Sequence, residues 1–198
     1  MIGLYGIVGG PCTGKSTTIG VFRARGYSIL EETATLIIGE QKETGGVVVP
    51  WDDFESFQRA VFHISLAKEI IVLANIHAGK YDGPVFSDRL SIGDAIGYHD
   101  EKGHPLYELV EPALRDPRNK PDAIFLMEKL PTYETDSIRW EDDEKARKLH
   151  TCLDAAHRRV AEAMGVPLVD VPYIARATSG EGAAARADFI LERIAAGF

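Results

Sequence analysis

Cysteine and long apolar runs are both scarce in this chain of 198 residues. Two cysteines, Cys12 and Cys152, are too few for a disulfide framework, and such low usage fits a reducing compartment. No apolar run approaches the ~18 residues that a membrane-spanning helix needs. The first residues lack the basic segment and the long apolar core of a secretory signal. The sequence therefore predicts a cytoplasmic protein with no membrane partner.

Positive charge is also in deficit, with 22 basic against 30 acidic side chains and a formal net charge of -8. This balance disfavours a protein that tracks a nucleic-acid backbone, but it leaves room for a small anion held by a few local groups. The hydrophobic share of 45% is ordinary for a globular chain and excludes disorder over the whole length. The length predicts a single domain over 1–198.

Five apolar runs of strand length alternate with helical patterns along the chain. Continuous apolarity is typical of strands buried on both faces of a parallel sheet, and the alternation predicts an α/β fold. The pattern over 53–78 is long for a globular helix, which leaves a kink or a break open. The predicted strands are 2–8, 27–30, 84–87, 123–127 and 167–171, and the predicted helices are 15–25, 33–42, 53–78, 91–99, 105–115, 139–164 and 182–196.

A glycine-rich stretch after the first strand fits the phosphate-binding pattern G-x-x-x-x-G-K-[ST]. Glycines allow the backbone to wrap a phosphate, and successive N–H groups then form an anion nest at a helix N-terminus. Lys15 supplies a positive charge for the β and γ phosphates, and Ser16 offers a hydroxyl to Mg²⁺. We therefore expect ATP and Mg²⁺ as cofactors, with the preference for ATP over GTP left open. The predicted binding residues are Gly9, Gly10, Pro11, Cys12, Thr13, Gly14, Lys15, Ser16 and Thr17.

A second metal ligand is expected at the end of the third strand, where Asp88 follows a short apolar run. A helix cap is the alternative role for this carboxylate. Arg89 comes next, whereas motor and remodelling ATPases usually place there a glutamate that polarises water. The Asp-Arg pair therefore favours phosphoryl transfer to a bound acceptor over hydrolysis.

Two short matches to GTPase motifs are interpreted as coincidences. The stretch 119–122 (N-K-P-D) precedes a predicted strand, whereas the guanine-reading motif of GTPases follows one. The stretch 94–97 (D-A-I-G) lies within a helical pattern and does not end a strand. A switch GTPase is therefore disfavoured.

The order of these motifs resembles the P-loop kinase group of nucleoside, nucleotide and ribosylnicotinamide kinases. More closely, it resembles the small predicted ATPases related to the ribosylnicotinamide-kinase domain, over nearly the whole chain. In one departure, Thr35 stands where an arginine is expected after the second strand, which puts an anionic acceptor group in doubt. The matching segments are 9–17, Glu31-Glu32, Pro50-Trp51 with Phe57-Gln58, 86–89 with Asp94 and Tyr98, Tyr133-x-x-Asp136-x-x-Arg139, and Val171-Pro172.

The resemblance implies a P-loop NTPase fold, a three-layer α/β/α arrangement with a five-stranded parallel sheet in the order 2-3-1-4-5. Ligands of such sheets lie beyond the carboxyl ends of the strands, where the strand order switches. The ends of strands one, two and three would then bring Lys15, Glu32 and Asp88 to one edge. A lid and acceptor-closing region is implied at about 115–150, and its closure would exclude water.

The resemblance also implies catalytic roles. Glu32, with Glu31 as its competitor, would accept the proton of the acceptor hydroxyl, and Arg89 would hold the acceptor or its phosphate. Arg139 resembles the lid arginine that closes over the γ phosphate. The implied catalytic residues are Lys15, Glu32, Asp88, Arg89 and Arg139, with Arg118 and Arg147 as alternatives to Arg139, and the metal ligands are Ser16 and Asp88.

An aromatic and polar segment after the second helix is the candidate acceptor pocket, because small-ligand pockets combine apolar walls with a few polar groups. The spacing of its aromatic residues also suits plain core packing. The six histidines show no metal-ligand pattern and are interpreted as structural. The candidate pocket residues are Trp51, Asp52, Asp53, Phe54, Phe57 and Gln58.

The sequence thus predicts a Mg²⁺-dependent kinase that moves the γ-phosphate of ATP to a small hydroxyl or phosphate acceptor, such as a nucleoside, a nucleotide or a similar compound. The alternative is a slow NTPase or nucleotide-sensing module that acts through a protein partner. That alternative predicts hydrolysis without an acceptor and an exposed apolar patch on the helices at 53–78 or 105–115. A nucleic-acid end kinase is disfavoured by the charge balance. The identity of the acceptor and the choice between a monomer and a homodimer stay open.

Overall fold

Five parallel strands form a single sheet in the computed structural model, which describes residues 1–103, 107–130, 143–176 and 178–198. The strands are β1 (Leu4–Val8), β2 (Ser28–Leu30), β3 (Val85–Asp88), β4 (Ala123–Met127) and β5 (Leu168–Val171). Their order across the sheet is β2-β3-β1-β4-β5, and every neighbouring pair is parallel. The predicted fold class and strand order are confirmed.

Helices connect the strands and cover the sheet. Within the described residues these are α1 (Lys15–Ala24), α2 (Thr33–Thr44), α3 (Phe54–His77), α4 (Ser91–Lys102), α5 (Tyr107–Arg115), α6 (Asp143–Met164) and α7 (Ser179–Ala196), with a 3₁₀ turn at Pro117–Asn119. The central residues of the predicted lid, 131–142, lie outside the described part of the chain, and Arg139 is among them.

The central strand β1 sends side chains into two separate cores. Tyr5 and Ile7 pack with Phe22 of α1 and with residues of α7. Val8 packs on the opposite face with Phe62 of α3 and with residues of α4, α5 and α6. Each such fully buried side chain stabilises the fold by roughly 1.5–3 kcal/mol. The sheet is therefore the middle of three layers.

Gly6 of β1 allows close approach of the chain that follows β3. A Cβ built on Gly6 would lie 2.3 Å from Cδ1 of Leu90. Leu90 stands between β3 and α4, so the absence of a side chain at position 6 lets the start of α4 pack directly on the central strand.

Helix boundaries follow local capping. Helix α7 starts at Ser179, three residues before the predicted start, because Thr178 and Glu181 form a reciprocal capping box. Helix α4 runs to Lys102 and stops at Gly103, whose φ of 77° is in the left-handed region. Helix α3 is one uninterrupted helix of 24 residues, so the break that its length left open does not occur.

Helix α3 is also the one helix among the described residues that is long and apolar enough to cross a membrane, with a mean hydropathy of 1.3 over 18 residues. This similarity to a membrane-spanning helix concerns length and composition only, and the core helices of soluble proteins share it. Four apolar side chains of α3 are buried, namely Phe57, Phe62, Val72 and Leu73. Its apolar character is accounted for in part by this packing.

Candidate functional site

The carboxyl ends of β1, β2 and β3 meet at one edge of the sheet. Asp88 lies opposite Ile7 in the pairing of β3 with β1, and Leu30 lies opposite Ser87 in the pairing of β2 with β3. Glu32 is two residues beyond Leu30, and the loop to α1 begins one residue beyond Val8. The predicted site residues Lys15, Glu32 and Asp88 therefore follow adjacent strand ends.

The loop at 9–14 has the backbone of a phosphate cradle. Gly9 and Gly14 have φ angles of 135° and 74°, which glycine adopts without a steric penalty. Cys12 has a φ of 56°, a conformation that costs a residue with a side chain about 1 kcal/mol or more. Such strained residues cluster at ligand sites, and this one lies in the predicted phosphate-binding loop.

Lys15 lies inside this loop and is only 7% exposed. Its Nζ donates to the carbonyl oxygens of Gly9 and Gly10, each at 2.7 Å, and to Oγ1 of Thr13 at 3.2 Å. Burial and then the charge of Arg89 lower the pKa of Lys15 to about 7, against the opposing effect of nearby carboxylates. Lys15 is therefore only partly protonated near neutral pH, and an anion bound in the loop would favour its charged ammonium form.

The first turn of α1 completes the cradle. No side chain caps this helix and no acidic residue lies in its first turn, so its N-terminal N–H groups are available to an anion. Ser16 and Thr17 are exposed there, and the Thr17 hydroxyl donates to the Gly14 carbonyl. The Ser16 hydroxyl is at the position in which phosphate-binding loops hold Mg²⁺.

Arg186 of α7 contacts the same loop, and the sequence analysis missed it. The side chain is 3% exposed, and its Nη1 donates to the Thr13 carbonyl at 2.7 Å. Its Nε is buried without a hydrogen-bond partner, and no carboxylate pairs with this guanidinium in the described part of the chain. An arginine on the apolar face of a helix, beside Ala183, Ala187 and Ile190, is the signal that could have identified it.

Helix α6 reaches the loop through His150. A Cβ on Gly10 would lie 2.6 Å from both Cα and Nδ1 of this histidine. Nδ1 is buried without a hydrogen-bond partner, and burial lowers the pKa of the ring. His150 was interpreted from the sequence as a structural residue, and its position beside the phosphate cradle was not predicted.

Arg89 follows Asp88 with an unusual backbone. Its φ is 78°, which is rare for a residue other than glycine. The Arg89 N–H donates to the Ile7 carbonyl at 3.2 Å, and the Ser87 hydroxyl donates to the Arg89 carbonyl at 2.6 Å. These bonds to β1 and β3 fix the direction in which the arginine side chain leaves the sheet.

The Arg89 guanidinium joins carboxylates from two elements. Its Nε lies 2.6 Å from Oε1 of Glu32, and its Nη1 lies 3.2 Å from Oδ2 of Asp94 on α4. Burial raises the pKa of Glu32, but Arg89, the hydroxyl of Thr35 and Lys15 outweigh it, so that the net pKa is lowered. Glu32 is therefore a carboxylate at neutral pH.

Glu31 and Glu32 face different surroundings. Glu31 is exposed and pairs with Arg23 of α1 at 2.7 Å, whereas Glu32 pairs with Arg89. Asp88, beside Arg89, has its pKa raised by burial, a shift that the charges of Arg89 and Lys15 reduce. Of the two competing glutamates, Glu32 shares the edge with Asp88.

Asp94 extends the ion pairs into the core. Its Oδ1 lies 3.5 Å from Nε2 of His157, which is fully buried on α6. Nδ1 of His157 lies 2.8 Å from the Leu153 carbonyl, an oxygen that can only accept a hydrogen bond, which places a proton on Nδ1. Nε2 and Oδ1 otherwise lack hydrogen-bond partners, and burial lowers the pKa of His157 against the opposing charge of Asp94.

Glu69 of α3 is a further buried carboxyl at this edge. Its Oε1 accepts from the Ser91 N–H and its Oε2 from the Ser91 hydroxyl, both at 2.7 Å. Burial raises the pKa of Glu69 to about 7, although the bonds from Ser91 oppose that shift. Glu69 thus ties the middle of α3 to the first turn of α4.

A cavity of about 190 Å³ adjoins these residues. Helices α2, α3 and α4 and the ends of β2 and β3 line it, with Glu32, Asp88 and Arg89 at the sheet edge. Of the six predicted pocket residues, Phe54, Phe57 and Gln58 line the cavity.

The other three predicted pocket residues, Trp51, Asp52 and Asp53, are not among the lining residues, and for them the prediction is wrong. Asp53 caps α3 by accepting from the Ser56 N–H at 3.0 Å. Trp51 is exposed, with the ammonium of Lys42 at 5.7 Å from its ring centroid.

The two predicted metal ligands are of the kind that suits Mg²⁺, which is usually held by one or two protein oxygens together with substrate phosphates. Ser16 and Asp88 offer a hydroxyl and a carboxylate at adjacent strand ends. Among the described residues, no group of three or more His, Cys, Asp or Glu side chains is arranged to hold a metal ion without such phosphates.

The GTPase-like stretches lie as their sequence context predicts. Asp122 precedes β4 and accepts from the Leu4 N–H at 2.8 Å, which places it at the amino edge of the sheet, opposite the phosphate cradle.

Arg118 lies in the turn just before Asp122 and pairs with Asp116. Because this turn is at the edge opposite the cradle, the alternative role of Arg118 as the lid arginine is wrong. Arg147 is exposed on α6, and Arg139 lies outside the described residues.

A glycine-rich loop after the central strand, a buried lysine within it and an aspartate ending the neighbouring strand define a P-loop NTPase with a kinase-like fold. A family model described as "AAA domain" matches residues 5–178. The chain belongs to this AAA domain family.

Two solved structures are similar to this chain over nearly its whole length. Thymidylate kinase from Ehrlichia chaffeensis is similar with a TM-score of 0.52 and 10% identity, over 96% of this chain and 97% of that one. Shikimate kinase from Acinetobacter baumannii, in complex with shikimate, gives a TM-score of 0.46 and 15% identity, over 98% and 95% of the two chains. No curated protein matches the chain. At these identities the likeness to thymidylate kinase concerns the fold alone.

Proposed function

We propose that the protein is an ATP-dependent phosphotransferase that moves the γ-phosphate to a hydroxyl group of a small molecule. The observation that carries this proposal is the position of the lined cavity. It shares a sheet edge with the phosphate cradle, and Asp88 and Arg89 line it. A nucleotide in the cradle and an acceptor in the cavity would thus meet at the ends of β1 and β3.

The cradle residues would position the nucleotide. Backbone N–H groups of the loop and the Lys15 ammonium would hold the β and γ phosphates. Ser16 and Asp88 would hold Mg²⁺, which supplies charge neutralisation of the phosphates when bound. Arg139 stays our proposed lid arginine, within a lid region at about 115–150.

In the transfer, the acceptor oxygen would form a bond to the γ-phosphorus while the bond from that phosphorus to the β–γ bridging oxygen breaks and ADP leaves. The acceptor proton would pass to Glu32, which is ionised at neutral pH. Positioning and charge stabilisation dominate phosphoryl transfer, so Glu32 serves mainly to orient the hydroxyl. Arg89 holds Glu32 in place through their ion pair.

An acceptor screen tests this function. Purified protein with Mg-ATP is incubated with nucleosides, nucleotides, sugars and amino alcohols, and ADP release and phosphorylated product are followed by ³¹P NMR. We expect ADP release that depends on an acceptor. Release at the same rate with and without every acceptor would refute the transferase.

A second candidate function is a slow NTPase that signals through a protein partner, and one observation favours it. Ile64 and Ile71 of α3, seven residues apart and on the same helix face, are 45% and 60% exposed, and neighbouring Ile70 is also exposed. Such a patch is what this alternative predicts for the helix at 53–78. This alternative predicts ATP hydrolysis without an acceptor in the presence of a cell extract. A lower hydrolysis rate in the Ile64→Lys and Ile71→Lys variants would support the NTPase over the phosphotransferase.

A further inference from the structure

We infer that the acceptor is a ring-bearing hydroxyl compound that carries no anionic group. This inference rests on the proposed phosphotransferase function and specifies the substrate class of its acceptor cavity. It follows from the charges of the described cavity lining, from the partners that already engage its cations, and from its aromatic walls.

Carboxyl groups outnumber cations in this lining. Three cationic side chains line the described cavity, Lys68, Arg89 and Lys102. Six carboxyl side chains line it, namely Glu31, Glu32, Glu69, Asp88, Asp94 and Glu101. With Glu69 protonated, Asp88 assigned to Mg²⁺ and Glu31 paired with Arg23, the three remaining carboxylates match the three cations in number. The lining therefore offers no surplus positive charge to a phosphate or carboxylate on the acceptor.

The strongest cation in the cavity is already neutralised. Arg89 bonds to Glu32 at 2.6 Å and to Asp94 at 3.2 Å, from two different elements. Its guanidinium also lies 5.9 Å from the ring centroid of Tyr98. An anionic acceptor would compete with the carboxylates of Glu32 and Asp94 for this guanidinium.

The two lysines are likewise engaged. Nζ of Lys68 donates to the Glu31 carbonyl at 2.5 Å and to the Thr33 hydroxyl at 3.2 Å. Nζ of Lys102 lies 3.6 Å from Glu101 and 5.2 Å from the ring centroid of Phe54. Both ammonium groups therefore already have polar or aromatic partners in the cavity wall.

Position 35 adds no positive charge at this edge. Thr35 of α2 donates its hydroxyl to Oε2 of Glu32 at 2.9 Å. An arginine there would bring a second cation to Glu32 and release part of Arg89 for an anion. The threonine instead supports Glu32 as a carboxylate.

The walls favour a flat, apolar group. Phe54, Phe57, Phe62 and Tyr98 line the cavity, and Gln58 adds a buried amide among them. Aromatic faces attract cations as well as rings, so a positive charge on the acceptor is compatible with this lining.

Matched acceptor pairs test the inference. The pairs are thymidine and thymidylate, adenosine and AMP, and pyridoxine and pyridoxine 5′-phosphate, with N-methylated pyridine alcohols as cationic probes. Each is assayed with Mg-ATP for ADP release and phosphorylated product. We expect the member of each pair that lacks an anionic group to be the better acceptor. Its kcat/KM should be at least about 100-fold above that of its anionic counterpart.

Turnover of anionic acceptors at equal or higher kcat/KM would overturn this inference and leave the proposed phosphotransferase standing. Absence of acceptor-dependent turnover with both classes would overturn both. A gain of charge gives a second readout: Thr35→Arg should raise binding of the anionic member of a pair at least about tenfold. Thr44→Arg, at the exposed end of α2, is the matched control, and an equal gain in the two variants would contradict the inference.

Discussion

Nε of Arg89 lies 2.6 Å from Oε1 of Glu32, so an ion pair spans the ends of β3 and β2 beside the phosphate cradle. Asp94 binds the other side of the same guanidinium. The orientation of Glu32 therefore depends on Arg89, and the backbone conformation of Arg89 depends in turn on its bonds to β1 and β3.

Replacing Glu32 with glutamine should lower kcat by about 10- to 100-fold, because the neutral amide loses the ion pair with Arg89 that orients it and accepts the acceptor proton poorly. The Kd for ATP should change less than about threefold, since the phosphates bind in the loop. The matched control is Glu31→Gln, which affects an exposed carboxylate paired with Arg23. Steady-state kinetics with the best acceptor would contradict this assignment if the Glu31 variant lost more activity.

Replacing Lys15 with alanine should abolish nucleotide binding. ATP at 100 times its Kd should stabilise the native chain by about 2.7 kcal/mol, and the variant should show no such shift. Thermal unfolding with and without Mg-ATP measures this. Lys42→Ala, which removes an exposed lysine over Trp51, is the control and should keep the full shift. Equal stabilisation of the Lys15 variant would exclude its role in phosphate binding.

Nucleotide affinity should fall as the pH rises above 7. Burial lowers the pKa of Lys15 to about 7 in the protein without nucleotide, and bound phosphates should raise it again. Binding above pH 7 then takes up a proton, and Kd should increase by at most about tenfold per pH unit. Calorimetric titration at pH 8 in two buffers of different ionisation enthalpy detects the uptake. Binding heats that do not depend on the buffer would refute it.

Replacing Arg186 with alanine should weaken ATP binding by about tenfold or more. The substitution removes the hydrogen bond to the Thr13 carbonyl and a buried cation next to the loop. We expect the phosphates of the nucleotide to be the anion that this cation faces. Arg193→Ala, an exposed arginine on the same helix, should leave Kd unchanged. Urea unfolding of the free proteins separates a lost fold from a lost site. A Kd unaffected in a folded Arg186 variant would reduce this contact to packing.

Replacing Glu69 with glutamine should change how stability depends on pH. Burial raises the pKa of Glu69 from 4.5 to about 7, so between these values the folded chain keeps a proton that the unfolded chain has released. This group therefore stabilises the fold in acid, and its contribution disappears as the pH rises to 7. Relative to the variant, the native chain should lose roughly 2–3 kcal/mol of unfolding free energy between pH 5 and pH 8.

Urea unfolding at several pH values measures the effect of Glu69. The control is Glu192→Gln on the exposed side of α7, which should leave the pH profile unchanged. Parallel profiles for the native chain and the Glu69 variant would show that the buried carboxyl keeps an ordinary pKa.

Local signals in the sequence predicted most of the fold. The strand-length apolar runs and the glycine-rich loop each depend on neighbours in the chain, whereas the strand order came from the resemblance to the P-loop kinase group. The placement of Lys15, Glu32 and Asp88 followed from the rule that parallel strands end at one edge. The coincidental GTPase stretches were recognised for the same reason, since Asp122 precedes its strand.

Contacts between distant segments could not be predicted in this way. Arg186 reaches Thr13 across 173 residues of chain, and no motif links the two positions. The ion pair between Glu32 and Arg89 depends on side-chain directions that spacing does not determine. Asp53 has a polar side chain near an aromatic segment, but its role is to cap a helix, and sequence patterns do not separate the two roles.

The contact between Gly14 and α7 changes how a substitution in the loop must be interpreted. A Cβ on Gly14 would lie 2.2 Å from Nη2 of Arg186, and the φ of 74° is itself unfavourable for other residues. Alanine at this position would therefore displace the Arg186 guanidinium from the loop before any nucleotide binds. Gly14 therefore supports the contact between the loop and Arg186 as well as the binding of phosphate. Loss of nucleotide binding in a Gly14 variant would reflect both effects.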